Sequence, residues 1–435
     1  MIGIIEILIA VILLIILIYN KIHPIICVLI ASLIAGLSNG ESILEIEAAF
    51  TNGMLDFAKP VLWLFILSAI YGRLMEKVGN ANSIAYTFVR VLGEKYCILA
   101  LILSTALLVY GGISVFTVIF CIYPIGLAIL KKADLPRYLL PGIVVIGQIT
   151  FAMTALPGTP QMNNIIPAGY FHTTLMAAPL LGLICAGLMF ILSYAYIMRV
   201  IKKTRAEGIG FAESGQEVPT SEEEGRTCFW KAILPVIVMF VTYFLLGQKI
   251  IGNTLTVYQS VDLALVLAIA SIVLLNIRKG KQMLAAVREG CGDWIRPMIS
   301  LCIIIGFGSV VKGTKGFGAC VALLLNPSLN VYASAAFSTA AISGITASAS
   351  GGIQIACSTF ANTWLQSANP AILHRICSIA SCSLDSLPHS GGIYSTFEIC
   401  KVELKQGYRH VFVVSVLIPA IVTCIAVILG NLGVC

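Results

Sequence analysis

The sequence predicts an all-α protein that crosses a membrane many times and consists of two inverted repeats. Hydrophobic residues make up 59% of the 435 residues and charged residues 11%, and the mean hydropathy is +0.98. Soluble chains are about a quarter charged, so this composition is typical of a polytopic membrane protein. Glycines and prolines recur at matching positions in the two halves, which is typical of a repeat.

Apolar segments of membrane length follow one another along the chain. Residues 2–19 are too long for the apolar part of a signal peptide and carry Glu6 in place of a basic start, so we expect a membrane helix there. The other first-half segments are 23–38, 58–76, an amphipathic 79–93, a pair at 96–109 and 113–130, 137–155 and 174–199. The second-half segments are 229–247, 258–277, 297–311, an amphipathic 316–325, a pair at 330–347 and 353–366, 371–387 and 410–430.

Five pairs of landmarks hold a spacing of 231 to 240 residues in the same order. They are Pro60 and Pro297, Gly72 and Gly306, Gly111 and Gly351, Pro136 and Pro370, and Pro157 and Pro388. The alternative is that Gly and Pro recur by accident in membrane helices. The predicted domains are a first repeat, 1–199, with hairpin 96–130 and broken helix 137–164; a cytoplasmic linker, 200–228; and a second repeat, 229–435, with hairpin 330–366 and broken helix 371–393.

The distribution of charge indicates that the repeat is inverted. Basic residues favour cytoplasmic loops, and both the linker and loop 278–296 are rich in Lys and Arg. The first-half equivalent of that loop, 39–59, is acidic, so corresponding loops lie on opposite faces. Each paired segment then enters and leaves on one face as a re-entrant hairpin, and the two hairpins enter from opposite faces. Three basic residues fall outside against this rule: Lys312, Lys315 and Arg375.

Two polar stretches, 155–164 and 381–392, interrupt apolar segments at corresponding positions. In hydrocarbon a broken helix leaves backbone groups unpaired, and this is tolerated only where the break is buried in protein or lines a cavity. Breaks and hairpin tips therefore predict a binding site near the midplane. Its candidate residues are Gly111, Gly112, Ser114, Pro157, Gly158, Thr159, Gln161, Asn163, Ser348, Ser350, Gly351, Gly352, Ser386 and His389. The alternative is that the small residues only permit close helix packing.

Ionisable residues at membrane depth are candidates for coupling. Asp385, with His389 four residues on, could take up and release a proton, or Asp385 could instead cap the broken helix. Arg375 could face a substrate carboxylate or anchor a helix end. The amides of Gln161, Asn163 and Asn164 suit either a hydroxyl or carboxylate ligand or the exposed backbone.

The residue pattern favours a transporter over other classes. An intramembrane enzyme needs a nucleophile with a base or a metal cluster, and the sequence has no HExxH and few His. The 14 Cys are scattered without a CxxC pair, so we predict no metal and no cofactor beyond a coupling cation, H+ or Na+. The net charge of +7 lies in short loops, which suits membrane orientation better than nucleic-acid binding. A passive channel needs no asymmetric repeat with broken helices.

Four motifs together resemble the gluconate permease (GntP) family. They are Tyr-Gly-Gly-Ile-Ser-Val-Phe at 110–116, Leu-Pro-Gly-Thr-Pro at 156–160, Ser-Ala-Ser-Gly-Gly at 348–352 and Leu-Asp-Ser-Leu-Pro-His-Ser-Gly at 384–391. The last motif most resembles the 3-hydroxybutyrate permease branch. The resemblance covers roughly residues 50–430.

The resemblance implies a multi-pass transporter in the bacterial cell membrane. It also implies a homodimer, elevator-type alternating access, and uptake of gluconate or a short hydroxy acid with protons. Gluconate-type members tend to have Phe-Phe-Asp where this chain has Val115-Phe116-Thr117. Loss of that acid favours a smaller monocarboxylate, or a di- or tricarboxylate such as citrate carried with Na+. The expected partners are a small organic anion and the lipid bilayer, without nucleic acid.

Overall fold

The computed structural model describes residues 9–10, 12–13, 16–17, 22, 24–93, 96–113, 115–211, 228–247, 250, 254–317, 330–388 and 390–435. Every regular element within these ranges is a helix, which confirms the all-α prediction. Five of these helical segments are long and apolar enough to cross a membrane, so the protein is a multi-pass membrane protein. Most of the predicted first span, 2–19, and most of the predicted amphipathic segment 316–325 lie outside the described residues.

The described residues form helices in each predicted half, in the following chain order. The first half has α1 (Pro24–Ser38), α2 (Ile43–Lys77), α3 (Asn80–Leu92), α4 (Cys97–Tyr110), α5 (Val115–Lys132), α6 (Leu140–Gln148), α7 (Met162–Phe171) and α8 (Pro179–Ala206). The second half has α9 (Phe229–Gly247), α10 (Val257–Leu275), α11 (Gly280–Asp293), α12 (Ile295–Gly313), α13 (Val331–Thr346), α14 (Ala349–Trp364), α15 (Pro370–Ser381), α16 (Gly391–Cys400) and α17 (Leu404–Phe412). A π-helical turn, Val413–Leu417, joins α17 to α18 (Ile418–Asn431).

Helix α2 is longer than predicted, because the acidic stretch expected to be loop 39–59 is helical from Ile43 onward. Ser42 and Glu45 form a capping box, in which the Ser42 N–H donates to Glu45 Oε2 at 2.7 Å and the Glu45 N–H donates to Ser42 Oγ at 3.3 Å. Hydropathy predicted where the apolar part of this segment begins, whereas the capping box determines where the helix itself begins. At about 1.5 Å per residue a helix of 35 residues exceeds the bilayer core.

Helices α2 and α12 pack side by side in opposite directions. Gly53 lies against Ser309 and Ile305, so closely that a Cβ there would stand 2.0 Å from Ser309 Oγ. Gly290 lies in the same way against Ile70 and Ala69, with its Cβ position 2.8 Å from the Ile70 Cα. Gly53 and Gly290 are as far apart in the sequence as Pro60 and Pro297. The same kind of close glycine contact therefore occurs once in each half. Antiparallel contact between corresponding helices is the geometry of an inverted repeat.

Ion pairs join the opposite end of α2 to α11. Arg73 Nε bonds to Asp293 Oδ2, and Arg73 Nη1 lies 3.8 Å from Glu289 Oε2. Lys77 Nζ is 3.0 Å from Glu289 Oε1. These pairs bring the end of α2 and the segment predicted as the basic loop 278–296 to one end of the protein.

Both broken helices are interrupted where predicted, but the first ends earlier. Helix α6 stops at Gln148, although apolar residues continue to Ala155. Thr154 turns its hydroxyl onto the Thr150 carbonyl at 2.9 Å, and a Cβ at Gly147 would stand 2.4 Å from the Ile102 carbonyl oxygen. Hydropathy reports burial and not helix, so the buried, non-helical residues after Gln148 were predicted as part of the span.

The segment predicted as a linker also starts as helix. Helix α8 continues through Lys203 and Arg205 to Ala206 before the chain turns. The Phe211 N–H then donates to Asp134 Oδ1 at 2.8 Å, which ties this segment to the end of the first hairpin. Residues 212–227 lie outside the described residues.

The interior of the protein forms around the hairpins and broken helices. Side chains of α4, α6 and α15 are almost wholly buried in one continuous apolar cluster. Large apolar residues of α8, α9 and α10 point outward instead, among them Ile191, Val241 and Leu267. In a membrane protein such a surface faces lipid, so the least lipid-exposed helices are those that carry the predicted site.

Candidate functional site

The first break is held against the first hairpin tip. The Tyr110 hydroxyl, at the end of α4, donates to the Pro157 carbonyl at 2.8 Å. Gly158 has a φ of +83°, which favours glycine, and its N–H donates to the Leu175 carbonyl at 2.9 Å. Gly112 occupies the tip with a φ of +79°. The predicted tip and break of the first half are thus neighbours; Ser114 lies outside the described residues.

The side-chain amide of Gln161 supports this tip. Its Nε2 donates to the Val109 carbonyl at 2.7 Å and to the Ile113 carbonyl at 3.3 Å. The Val109 carbonyl also accepts from the Gly112 N–H at 3.0 Å, so Gln161 adds a second donor there and supplies one to the Ile113 carbonyl. Of the two sequence interpretations of Gln161, the structure realises the one in which its amide nitrogen serves the backbone.

The second tip lies directly before the predicted stretch 348–352. The chain turns at Ala347, with a φ of +50°, and Ser348 Oγ caps α14 by accepting from the Gly351 N–H at 3.1 Å. Gly351 and Gly352 therefore belong to the first turn of α14, directly after Ser350. A Cβ at Gly352 would stand 2.3 Å from the Ser343 Cα, so this glycine permits close packing of α13 on α14.

The second break lies beside this tip, as the first does beside its own. Ser390 Oγ donates to the Ala347 carbonyl at 3.3 Å, and a Cβ at Gly344 would stand 2.9 Å from the Leu384 Cβ. Each hairpin tip thus contacts the break of its own half. His389 lies outside the described residues, so its predicted role beside Asp385 stays a prediction.

The two breaks meet through polar side chains. Asn163 Nδ2 donates to Ser381 Oγ at 2.7 Å, and Ser381 Oγ donates in turn to the Ser378 carbonyl at 2.7 Å. Thr154 Oγ1 lies 3.4 Å from Cys382 Sγ. All of these side chains are buried, so the two halves share one polar core.

Arg375 is the most unusual group in this core, and its predicted role in facing a substrate carboxylate stays a prediction. It is fully buried near the middle of α15, and its guanidinium donates only to neutral oxygens. These are the carbonyls of Ala177, Leu175 and Thr154 and the Oδ1 of Asn164, at 2.7 to 3.2 Å. No carboxylate of the described residues pairs with it. Arg375 holds the 173–178 segment against α15 instead of anchoring a helix end at a membrane face.

His374 works beside Arg375. Its Nε2 lies 2.7 Å from Asn164 Oδ1, and its Nδ1 lies 2.6 Å from Thr173 Oγ1. His374 was not among the predicted site residues, although an ionisable residue within a predicted span is a functional signal in itself. Asn164 also donates from Nδ2 to the carbonyls of Thr159 and Leu175, at 2.9 and 3.1 Å, so it organises the first break.

Asp385 lies in the second break and is 8% exposed. The Ser386 hydroxyl donates to Asp385 Oδ1 at 2.9 Å, and the Tyr408 hydroxyl donates to the Ser386 carbonyl at 3.1 Å. Among the described residues no Lys, Arg or His lies within ion-pair distance of this carboxyl. A buried carboxyl with a hydroxyl partner and no cation is able to carry a proton.

Several buried hydroxyls near the site lack a partner within the described part of the chain. Thr159 Oγ1 is one of them, at the first break. Three more lie on α13: Ser338, Thr339 and Ser343. A buried hydroxyl without a partner costs free energy, so each is available to a ligand or water.

Comparison with known proteins identifies the chain. Residues 2–432 match the family model described as GntP family permease. The uncharacterized transporter YxjC of Bacillus subtilis (strain 168) is 31% identical over 420 residues, which cover 88% of this chain and 89% of that protein. An uncharacterized transporter of Haemophilus influenzae is 24% identical over 363 residues, or 82% of this chain and 81% of that protein.

A solved structure shares the fold. The YdaH transporter of Alcanivorax borkumensis matches with a TM-score of 0.61 at 13% identity, over 90% of this chain and 89% of that one. The family match covers nearly the whole chain, and it confirms the resemblance that the four motifs indicated. The chain is thus a transporter and not an enzyme, and it belongs to the GntP family of permeases.

Proposed function

We propose that the protein imports a small organic anion across the bacterial cell membrane together with a proton. The observation that carries this proposal is the shared polar core, in which Asn163 and Ser381 join the two breaks at 2.7 Å. Buried polar side chains at membrane depth are costly and mark the path of a substrate or ion. An inverted repeat places such a core at the point around which alternating access occurs.

The substrate we propose is a hydroxy monocarboxylate such as 3-hydroxybutyrate or gluconate. The fully buried Arg375 supports an anion, because its charge has no acid partner among the described residues. The unpartnered Thr159 hydroxyl at the first break supports a ligand with polar groups of its own. The predicted binding residues at the tips, Gly111, Ser114 and Ser350, would contribute backbone and hydroxyl donors.

Proton coupling rests on Asp385. Its carboxyl is buried and bonds to Ser386, and it has no cationic partner in the described chain. Protonation makes such a group neutral, so its charge can change during the cycle. His389, four residues on, would take part. The second candidate function is Na+-coupled transport of a di- or tricarboxylate, favoured by Thr117 in place of the acid of gluconate-type members.

The transport movement we propose is of the elevator type. The hairpins and broken helices form the moving body, and α1, α2, α11 and α12 belong to the scaffold. The acidic start of α2 would face outward, and the Arg73 and Lys77 cluster would face the cytoplasm, following the charge rule. Two copies of the chain would pair in the lipid bilayer through their scaffolds.

Uptake into proteoliposomes tests this proposal. Labelled 3-hydroxybutyrate is supplied under an inward proton gradient, with gluconate and citrate as competitors and with an inward Na+ gradient in a parallel series. Accumulation that follows the proton gradient and collapses with an uncoupler supports the proposal. Accumulation that follows Na+ and is inhibited best by citrate supports the second candidate. Equilibration without accumulation contradicts both.

A further inference from the structure

A cavity of about 170 Å³ lies apart from the two breaks. Its walls come from α2, α12, the end of α7 and the middle of α14. Residues 354–359 of α14 lie at least six positions beyond the tip at Ser348, which is about 9 Å along the helix. The cavity therefore separates the scaffold pair α2–α12 from the second hairpin, at the end of the protein where α2 begins.

The lining offers several groups that bind a carboxylate. The Gln354 Nε2 donates to the Tyr170 hydroxyl at 2.7 Å, which leaves the phenol proton free to donate. The Thr359 hydroxyl is buried and lacks a partner among the described residues. Ser309 contributes a further hydroxyl. Pockets with an apolar body and a few convergent donors are typical of small-molecule sites, and they occur at interfaces between domains.

Lys312 supplies the positive charge. Its Nζ donates to the Ser358 carbonyl at 2.9 Å and lies near no carboxylate within the described chain at ion-pair distance. Asp56 also lines the cavity, but its side chain is 77% exposed and lies 3.7 Å from Lys59, so it belongs to the rim. The charge rule left Lys312 unexplained on the outer face, and a role in binding anions explains it.

We propose that this cavity is a second, external binding site that holds the carboxylate of a small organic anion before the anion reaches the breaks. The proposal rests on the proposed direction of transport, which places the start of α2 outside. Lys312 would hold the carboxylate, and Tyr170, Gln354 and Thr359 would bond to its oxygens or to a hydroxyl of the anion. A cleft with one sign of charge raises the local concentration of opposite charge, so the site would speed entry of the substrate.

A purely structural role for Lys312 makes a different prediction. If Lys312 only ties α12 to α14 through the Ser358 carbonyl, Lys312→Gln would keep a donor and Lys312→Arg would disturb the fit. If Lys312 serves as a charge, Lys312→Arg preserves its function and Lys312→Gln does not. Lys315→Gln is the matched control, because Lys315 is an exposed lysine three residues further on.

Thiol labelling measures whether the cavity attracts anions, and it does not require transport. Ser358→Cys places an exposed thiol in the lining. It is labelled with an anionic sulfonate and a cationic trimethylammonium methanethiosulfonate, and the reaction of the native cysteines in the parent protein is subtracted. We expect the ratio of anionic to cationic rates to fall about fivefold when Lys312→Gln is added, and to stay unchanged with Lys312→Arg or Lys315→Gln. An equal ratio with and without Lys312→Gln would overturn the proposal.

Uptake provides the second measurement. For whichever acid the protein accumulates, Lys312→Gln should raise KM several-fold with kcat retained, and Lys312→Arg should restore KM. If Lys312→Gln and Lys312→Arg both lowered kcat and left KM unchanged, the site would be overturned. If no acid is accumulated, the proposed function fails, while the labelling ratio still decides whether the cavity attracts anions.

Discussion

The side-chain amide of Asn163 donates to the hydroxyl of Ser381 across 2.7 Å, and this bond joins the two broken helices. Asn163 belongs to the first turn of α7, and Ser381 is the last residue of α15. Both side chains are at most 3% exposed. The bond therefore links the two repeats at the point where both helices are interrupted.

Alanine at either position should reveal this link. Asn163→Ala and Ser381→Ala should each lower the stability of the protein by about 1–3 kcal/mol, because each leaves a buried partner unsatisfied. The double variant should cost less than the sum of the two, with an interaction of about 0.5–2 kcal/mol. Thermal unfolding in detergent measures all three. Strict additivity would show that the contact is absent in the membrane protein.

Arg375 should be essential for folding. Arg375→Ala removes the guanidinium that donates to the buried carbonyls of Ala177 and Thr154, at about 1–3 kcal/mol each. It also removes one of the donors to the Leu175 carbonyl and to Asn164 Oδ1, so we expect severe loss of stability. Arg375→Lys should be intermediate, because an ammonium cannot reproduce the planar fork of five donors. Arg199→Ala, in the more exposed end of α8, is the control. An Arg375→Lys protein of native stability that fails only to bind substrate would show that Arg375 is a ligand.

Substitution of Gly352 tests whether this glycine serves helix packing or substrate binding. Gly352→Ala would place a Cβ about 2.1 Å from Ser343 Oγ and 2.3 Å from its Cα, so the hairpin must open. We expect a cost of about 1–3 kcal/mol in thermal unfolding. Gly391→Ala is the matched control, since a Cβ there meets nothing within 4 Å. If Gly352→Ala unfolds at the native temperature but raises KM, the glycine serves the substrate.

Asp385→Asn should uncouple transport. The amide keeps the size of the side chain and its bond with Ser386, but it cannot take up and release a proton. We expect concentrative uptake to be lost while exchange of preloaded substrate continues. Glu403→Gln, an exposed acid of the same half, is the control. Proton-driven uptake at the native level would rule out this role for Asp385.

Cross-linking tests the elevator movement. Cysteines at Lys312 and Ser358 join the scaffold to the second hairpin, and a bifunctional reagent across them should stop transport. Cysteines at Lys77 and Glu289 join two scaffold helices, and the same reagent should leave transport intact. Loss of transport in both pairs, or in neither, would contradict movement of the hairpin against the scaffold.

Much of this architecture could be predicted from residue type. Gly and Pro interrupt helices for local reasons, so the hairpins and breaks were predicted within a few residues. Helix ends were less predictable, because α2 begins at a polar capping box and α6 ends within an apolar run. Hydropathy measures where a residue prefers to lie, and it carries no information on which backbone carbonyl a hydroxyl will bond.

The candidate site was predicted only in part. Small residues such as Gly112 and Gly158 were found because their backbone conformation demands glycine. The partners of Arg375 and His374 could not be found, because they lie about 200 residues away in the sequence and most of them are backbone carbonyls. Carbonyls are present at every residue, so the sequence does not distinguish those that accept from an arginine.

Because Arg375 has only neutral partners among the described residues, the net charge of the site in the proposed transport cycle depends on whether Asp385 is protonated. With Asp385 ionised, the pair carries no net charge; with Asp385 protonated, one positive charge remains in a medium of low dielectric constant. Asp385 lies ten residues beyond Arg375 in the sequence, after α15 has ended at Ser381. Under the proposed proton coupling, a monovalent anion would restore electroneutrality only after a proton has arrived, so the proposal predicts one proton for each anion.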